Sequence, residues 1–148
     1  IIDKDLKLSK KMNLIRSKDT EKLFFVHDLN LKKEKIESMK VKGIRTIGVS
    51  TQKNGNLNLD EIFKNLSKLG LTSVLVEGGG KIATSLLEVE LVDKLILFTA
   101  GIILDKNGID GFQPSIPESI NLNNYNRYDL DKSLTIGNDV AHFWNINN

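Results

Sequence analysis

The sequence predicts an α/β fold: a largely parallel sheet with helices on both faces, closed by an antiparallel hairpin. Three observations predict it. Short apolar, β-branched runs alternate with stretches whose apolar residues recur at helical spacing, the rhythm of right-handed strand–helix–strand crossovers. Glycine or an Asn-Gly pair punctuates the changes of period, as at Gly43, Asn54-Gly55 and Gly70. Near the C-terminus two alternating runs flank Gly137-Asn138-Asp139, which reads as a hairpin turn.

In order, Ile1 to Asp3 reads as a strand and Lys4 to Thr20 as a charged, irregular connection. Lys4, Lys7, Lys10, Lys11, Arg16, Lys18 and Lys22 concentrate positive charge there, either as a solvated face or as a phosphate-attracting patch. Leu23 to His27 suits a buried strand. Leu31 to Lys42 suits a helix with Leu31, Ile36 and Met39 on its apolar side, and Ile44 to Val49 the next strand. Thr51 to Asn58 is a polar loop. Asn58 is an N-cap with Glu61 three residues on, close to a capping box, and Leu59, Ile62, Phe63, Leu66 and Leu69 form a core stripe. Ser73 to Val76 is a strand, Gly80 to Glu88 a helix, and Val92 to Thr99 a further strand. Gly101 to Leu122, with Gly108, Gly111, Pro114 and Pro117, has no helical stripe. A loop of that length is usually functional or mobile. Tyr125 to Ile136 and Val140 to Ile146 make the hairpin.

At 148 residues the chain is one domain's worth, and 40% hydrophobic with 27% charged residues is ordinary for a globular protein. A formal charge of +2 is too small to argue for nucleic acid or a membrane surface as main partner. Cysteine is absent, which excludes disulfides, thiolate catalysis and cysteine metal sites. No apolar run approaches the ~20 residues that span a bilayer, so a cytoplasmic protein is the default expectation. The opening Ile1-Ile2-Asp3 looks like a strand entered midway, and the chain is expected to be a piece of a longer polypeptide.

The candidate site lies at Leu71 to Glu88. A strand, three glycines (Gly78, Gly79 and Gly80) and a helix carrying Ile82, Leu86 and Val89 aim backbone N–H groups and a helix N-terminus at one place. Glu77 ends the strand, where open α/β sheets place ligands. The glycines alone leave two readings open, an anion site or only a tight turn. Glu77 equally could accept hydrogen bonds from substrate hydroxyls or cap the neighbouring helix. The spacing is neither Gly-x-Gly-x-x-Gly nor a phosphate loop: Ile82 follows Lys81 where a magnesium-binding hydroxyl would be needed, which argues against an ATPase. His27 and His142 lack metal-ligand spacing and read as structural or exposed. Asp93 reads as a residue at the start of a strand, and Phe143 and Trp144 as core cover. The residue chemistry points to an anionic small molecule, with a cofactor bringing the reactivity.

Val74-Leu-Val-Glu-Gly-Gly-Gly-Lys-Ile-Ala, followed by Ser85-Leu-Leu and Leu91-Val-Asp-Lys-Leu, resembles the C-terminal reductase domain of the bifunctional riboflavin-biosynthesis protein RibD. Ile1-Ile2-Asp3-Lys4-Asp5-Leu6-Lys7-Leu8 is similar to a mid-domain strand of that family, so the likeness covers nearly the whole chain. The resemblance implies a dihydrofolate-reductase-like three-layer αβα sandwich and a homodimer. It also implies NADPH-dependent reduction of 5-amino-6-(5-phosphoribosylamino)uracil, with hydride delivered to the opened ribose at C1. Carried over by residue, Glu77 would contact the substrate's sugar. Gly78, Gly79, Gly80, Lys81, Ile82, Ala83, Thr84 and Ser85 would form the segment at the NADPH phosphates. Lys4 aligns with a position that can approach the cofactor, though the family places a small residue there. No catalytic residue is assigned. Gly101 replaces the family's proline after Ala100, and Asp105 stands where it has glycine. The family's Thr/Ser-x-Asp-Gly-Lys segment, its Asp-Ala-x-x-x-Gly-x-x-Thr strand and the zinc deaminase ligands do not occur. The expectation is therefore the later portion of one reductase domain with an incomplete sheet, compensated at exposed edges or a dimer surface, with weak cofactor affinity and negligible turnover. Two alternatives are another dihydrofolate-reductase-like pteridine or pyrimidine reductase, and a non-catalytic α/β binding module.

Overall fold

The computed structural model describes residues 1–8, 13–16, 20–103, 108–112 and 128–146. It comprises two units, Ile1–Val74 and Leu75–Asn148.

The first unit is built on two parallel strands, β1 (Phe24–Asp28) and β2 (Arg45–Val49), with Phe24 opposite Arg45 and Asp28 opposite Val49. Ile1–Asp3 lies parallel to β1 on its other side. The Val26 N–H donates to the Ile1 carbonyl at 2.8 Å and the Asp3 N–H to the Val26 carbonyl at 3.0 Å, so the expected opening strand exists as a short ladder. Successive residues of a strand point to opposite faces, and β1 buries both. Phe25 joins Leu6, Ile15, Met39 and Ile44 in one cluster, while Val26 joins Val49, Leu57 and Ile62 in another. Helix α2 (Lys33–Lys40) supplies Met39 to the first cluster and helix α3 (Leu59–Lys68) supplies Ile62 to the second. Each face of this sheet is thus covered by one helix, as two-sided apolar strands require.

The helix ends follow their chemistry. The turn after α2 closes at Gly43 and α3 is followed by Gly70, both at positive φ, where a Cβ would be strained. Asn58 caps α3 by accepting from the Glu61 N–H at 3.2 Å. The capping box is only half formed. The Glu61 carboxylate turns away and accepts from the Ser50 N–H at 2.8 Å and the Ser50 hydroxyl at 2.6 Å.

Two expectations for this region need correction. The connection read as irregular contains a single helical turn, α1 (Asn13–Arg16), whose Ile15 is buried in the first cluster, and a 3-10 turn at Thr20–Lys22. Lys10, Lys11 and Lys18 lie outside the described residues; Lys7 pairs with Asp5 at 2.6 Å on an exposed surface, as on a solvated face. Ser73–Val76 is not a strand: it runs without a ladder partner among the described residues, and Val74, Leu75 and Val76 are exposed. Its composition suits a buried strand, but composition cannot supply the neighbouring backbone that a ladder needs.

The second unit contains helix α4 (Gly80–Glu88), bounded as expected, and a three-stranded antiparallel sheet. Its strands are β3 (Lys94–Thr99), β4 (Asp129–Ile136) and β5 (Asp139–Asn145), in the order β3-β5-β4. Within the α/β class, β3 does not continue the parallel order. It runs against β5, Lys94 opposite Asn145 and Thr99 opposite Val140. The β4–β5 turn has positive φ at Gly137 alone of its two residues, the type II′ pattern whose twist suits a two-residue hairpin. Residues 125–127 of the expected strand lie outside the described residues, as do Asp105, Pro114 and Pro117 of the long loop.

Replacing Asn58 by Ala leaves one first-turn amide of α3 without its acceptor. Urea denaturation is expected to show a loss of about 1 kcal/mol.

Candidate functional site

In the second unit an extended backbone carries Glu77 and Gly78 to Gly79, the N-cap of α4, at φ −76° and ψ 175°. The first intrahelical bonds run from the Ile82 and Ala83 N–H groups to the Gly79 carbonyl, at 3.1 and 3.3 Å. No side chain caps this helix. The Gly80 and Lys81 N–H groups therefore have no acceptor among the described residues, and no acidic residue occupies the first turn. Free donors at the positive end of a helix dipole favour an anion.

The three glycines serve three different purposes. Among the described residues, its chain neighbours apart, a Cβ on Gly79 would meet nothing within 4 Å, which leaves this position open to an incoming group. A Cβ on Gly80 would stand 2.7 Å from the carbonyl oxygens of both Asp110 and Gly111, whose backbone packs against the helix start. A Cβ on Gly78 would run into the Ile82 side chain. Glu77 is exposed and makes no hydrogen bond or ion pair with a described residue, so it does not cap α4. Lys81 is exposed, while Ile82, Ala83, Thr84 and Ser85 are half-buried along the first two turns. All the residues singled out between Glu77 and Ser85 thus lie together at one helix entrance. Gly101 is exposed.

A second polar cluster, in the first unit, was not singled out from the sequence. At the carboxyl ends of β1 and β2, Asp28 accepts from the Asn30 N–H and the Thr51 hydroxyl, both at 2.8 Å. These bonds hold the Asp28 carboxyl below its ordinary range, the Asn30 amide first and Thr51 second. The Ser50 hydroxyl, and then the Ser50 N–H, do the same for Glu61. His27 is buried and its Nδ1 lies 2.8 Å from the Asp28 carbonyl, which can only accept, so Nδ1 carries the proton. Lys4 donates through Nζ to the Gly55 carbonyl at 2.5 Å, across the loop beyond β2. The carboxyl ends of parallel strands are where open α/β sheets seat ligands. The signal in the sequence was Asp28, Ser50 and Thr51 following directly on apolar runs.

Of the remaining candidates, His142 contacts the Ser133 Oγ through Nδ1 at 2.9 Å across the hairpin, and Phe143 and Trp144 are half-buried. The Asp93 carbonyl accepts from the Ile146 N–H at 3.0 Å at the start of β3. No group of three or more acidic or histidine side chains among the described residues could hold a metal ion.

Comparison with known proteins adds a family. Residues 1–142 match the family described as the RibD C-terminal domain. No curated protein matches the chain. Solved structures superpose on it closely at low identity. Acinetobacter baumannii RibD gives a TM-score of 0.79 at 15% identity, over 97% of this chain and 36% of that one. A Corynebacterium diphtheriae pyrimidine reductase-like protein gives 0.77 at 17%, over 99% and 60%. The Saccharomyces cerevisiae riboflavin biosynthesis reductase Rib7 gives 0.65 at 15%, over 99% and 68%. The chain thus spans about a third of the RibD chain it superposes on and three-fifths of the Corynebacterium one.

Two outcomes follow from this geometry. Gly80→Ala forces the Asp110–Gly111 backbone aside and is expected to cost about 1–3 kcal/mol in chemical denaturation, despite alanine's better helix propensity. Gly79→Ala is expected to change stability by less than about 1 kcal/mol. Asp28 and Glu61 have carboxyls lowered on folding, so their stabilisation is complete above the unfolded values and fades as pH falls through the folded ones. Unfolding free energy measured against pH is expected to decline below about pH 4. The decline is expected to be shallower in Glu61→Gln.

Proposed function

The chain belongs to the RibD C-terminal domain family, and on that footing we propose that it is the later part of an NADPH-dependent reductase. Its substrate in this reading is 5-amino-6-(5-phosphoribosylamino)uracil, reduced to the ribitylamino product on the route to riboflavin. The observation that carries the reading is the start of α4: Gly80 and Lys81 amides with no acceptor among the described residues, beside a Gly79 whose Cβ would meet none of them within 4 Å outside its chain neighbours. That arrangement fits the phosphates of a dinucleotide, because it offers convergent donors, a favourable dipole and close backbone approach. The names of the solved neighbours, a RibD, a pyrimidine reductase-like protein and a riboflavin biosynthesis reductase, support the same reaction class.

In this proposal Gly78 through Ser85 hold the NADPH phosphates. When bound, the cofactor supplies the hydride that reduces C1 of the opened ribose. Glu77, exposed and without a partner among the described residues, offers two carboxylate oxygens to the sugar hydroxyls and so positions C1. Lys81, exposed beside the same amides, adds positive charge toward the phosphates. No acidic residue within the first turn of α4 opposes that positive potential. Lys4, in the first unit, has its amine engaged at the Gly55 carbonyl. We place the protein in the cytoplasm and, as the resemblance implies, in a homodimer. No helix among the described residues is long and apolar enough to cross a membrane.

Fluorescence titration tests the reading. NADPH is expected to give weak but saturable binding, and Gly79→Val, which fills the open approach, to weaken it about tenfold or more with unchanged circular dichroism. Absence of saturable binding, or equal affinity in Gly79→Val, would overturn the cofactor assignment. With authentic substrate, residues 1–148 alone are expected to oxidise NADPH at a negligible rate.

A further inference from the structure

We infer that the turn at Asn54-Gly55 is a site of spontaneous chemical modification. Asn54 closes on the Gly55 backbone nitrogen and is converted, through a succinimide, to aspartate and isoaspartate. The reaction balances with water alone. The Gly55 nitrogen gives up its proton to solvent base and adds to Cγ of Asn54, forming an N–C bond. The Cγ–Nδ2 bond breaks, and that nitrogen departs as ammonia. Water then opens the ring. Cleavage at Cγ leaves aspartate, and cleavage at the main-chain carbonyl carbon leaves isoaspartate, with the chain running through the former side chain. Nothing is oxidised or reduced, and either product adds one negative charge to the turn.

Such a reaction needs an unhindered nitrogen, a polarised carboxamide and access to water, and the turn provides all three. Among the described asparagines Asn54 is the one followed by glycine; after the others comes Leu, Ile or Asp, whose side chain crowds the attacking nitrogen. Gly55 stands at φ +82°, and a Cβ there would meet no described residue within 4 Å outside its chain neighbours. The Asn56 N–H donates to the Asn54 Oδ1 at 3.0 Å. That bond draws the carboxamide forward along the chain, past the Gly55 nitrogen that lies between. It also aims a donor at the oxygen on which negative charge develops as Cγ becomes tetrahedral. An N–H can only donate, so the bonded atom is the oxygen, and Nδ2 is the other end of the carboxamide of an exposed side chain. Lys4 donates through Nζ to the Gly55 carbonyl at 2.5 Å, a cation that favours negative charge on the Gly55 nitrogen.

One interaction opposes the reaction. The Gly55 N–H donates to the Gln52 carbonyl at 2.9 Å and must leave it. An exposed hydrogen bond of this kind retards the step by about tenfold at most. The rest of the turn need not open, because the Gln52 N–H bond to the Asn56 carbonyl at 2.8 Å and the Thr51–Leu57 bridge lie outside the reacting pair. Asn58 shows the contrast. Its Oδ1 also accepts a backbone N–H, that of Glu61 at 3.2 Å, but it is half-buried and Leu59 follows it as the first residue of α3. The site lies wholly in the first unit and stands or falls independently of the reductase reading.

The test is to incubate the chain in mildly alkaline buffer at physiological temperature and follow each asparagine by peptide mapping with isoaspartyl methyltransferase labelling. Protection of the β1 and β2 amides from hydrogen exchange reports that the first unit is folded. Asn54 in the folded chain is expected to react within about tenfold of its rate in a synthetic peptide spanning Ser50–Leu59, and Asn58 in the folded chain to stay unmodified. Gly55→Ala is expected to slow Asn54 about tenfold or more in chain and peptide alike, the peptide showing the effect apart from any change in folding. The inference is overturned if folding slows Asn54 by more than about tenfold, if Gly55→Ala leaves the rate unchanged, or if β1 and β2 are unprotected, so that no folded turn is the reactant. Asn107-Gly108 is the other such pair in the sequence, with Asn107 outside the described residues, and isoaspartate confined to that pair overturns the assignment as well.

Discussion

A backbone amide removed from water needs an acceptor, and the places where this chain does and does not provide one organise the whole molecule. The first unit answers the demand internally. Ile1–Asp3, β1 and β2 exchange ladder bonds, and Asn58 takes up an amide of α3. Asp28 and Glu61 accept from the backbone just past the strand ends. Among the described residues, the second unit leaves donors open at two places, the entrance of α4 and the outer side of β3. The first is small, polar and flanked by a glycine with empty space before it, which suits an anion.

The parts of the fold visible in the sequence are those whose signal is local. The stripe of α3, the glycine past its end, the bounds of α4 and the Gly137 turn are written within one or two helical or strand repeats. Information carried between distant residues was not visible. Whether β3 runs with or against its neighbour depends on β5, more than 40 residues later. Ser73–Val76 has the right residues for a strand but takes no ladder partner among the described residues. Ile15 sits with Met12 and Leu14 in a short, lysine-rich stretch without a sustained apolar period, too little to reveal that it closes a core against Phe25 and Met39.

The candidate site was readable because it is a contiguous run, and its internal logic was not. Three glycines in a row look interchangeable on paper. In the fold one is open, one is pressed by the backbone of residues 110–111, and one faces Ile82. Likewise Glu61, three residues past a cap, invited a local assignment, whereas its carboxylate reaches Ser50, eleven residues back. The Asp28–Thr51 bond spans 23 residues and could not be anticipated from spacing.

The alternation of β1 has an evolutionary corollary. Phe25 and Val26 are adjacent in sequence but belong to opposite clusters, one shaped around an aromatic ring and the other around a smaller aliphatic group. A one-residue insertion or deletion inside this strand would swap the two, forcing a phenyl ring into a space fitted to valine. Variation in length among descendants of this sequence should therefore collect in the polar turn around Asn54-Gly55, where a Cβ on Gly55 would meet no described residue within 4 Å outside its chain neighbours, and spare the five residues from Phe24 to Asp28.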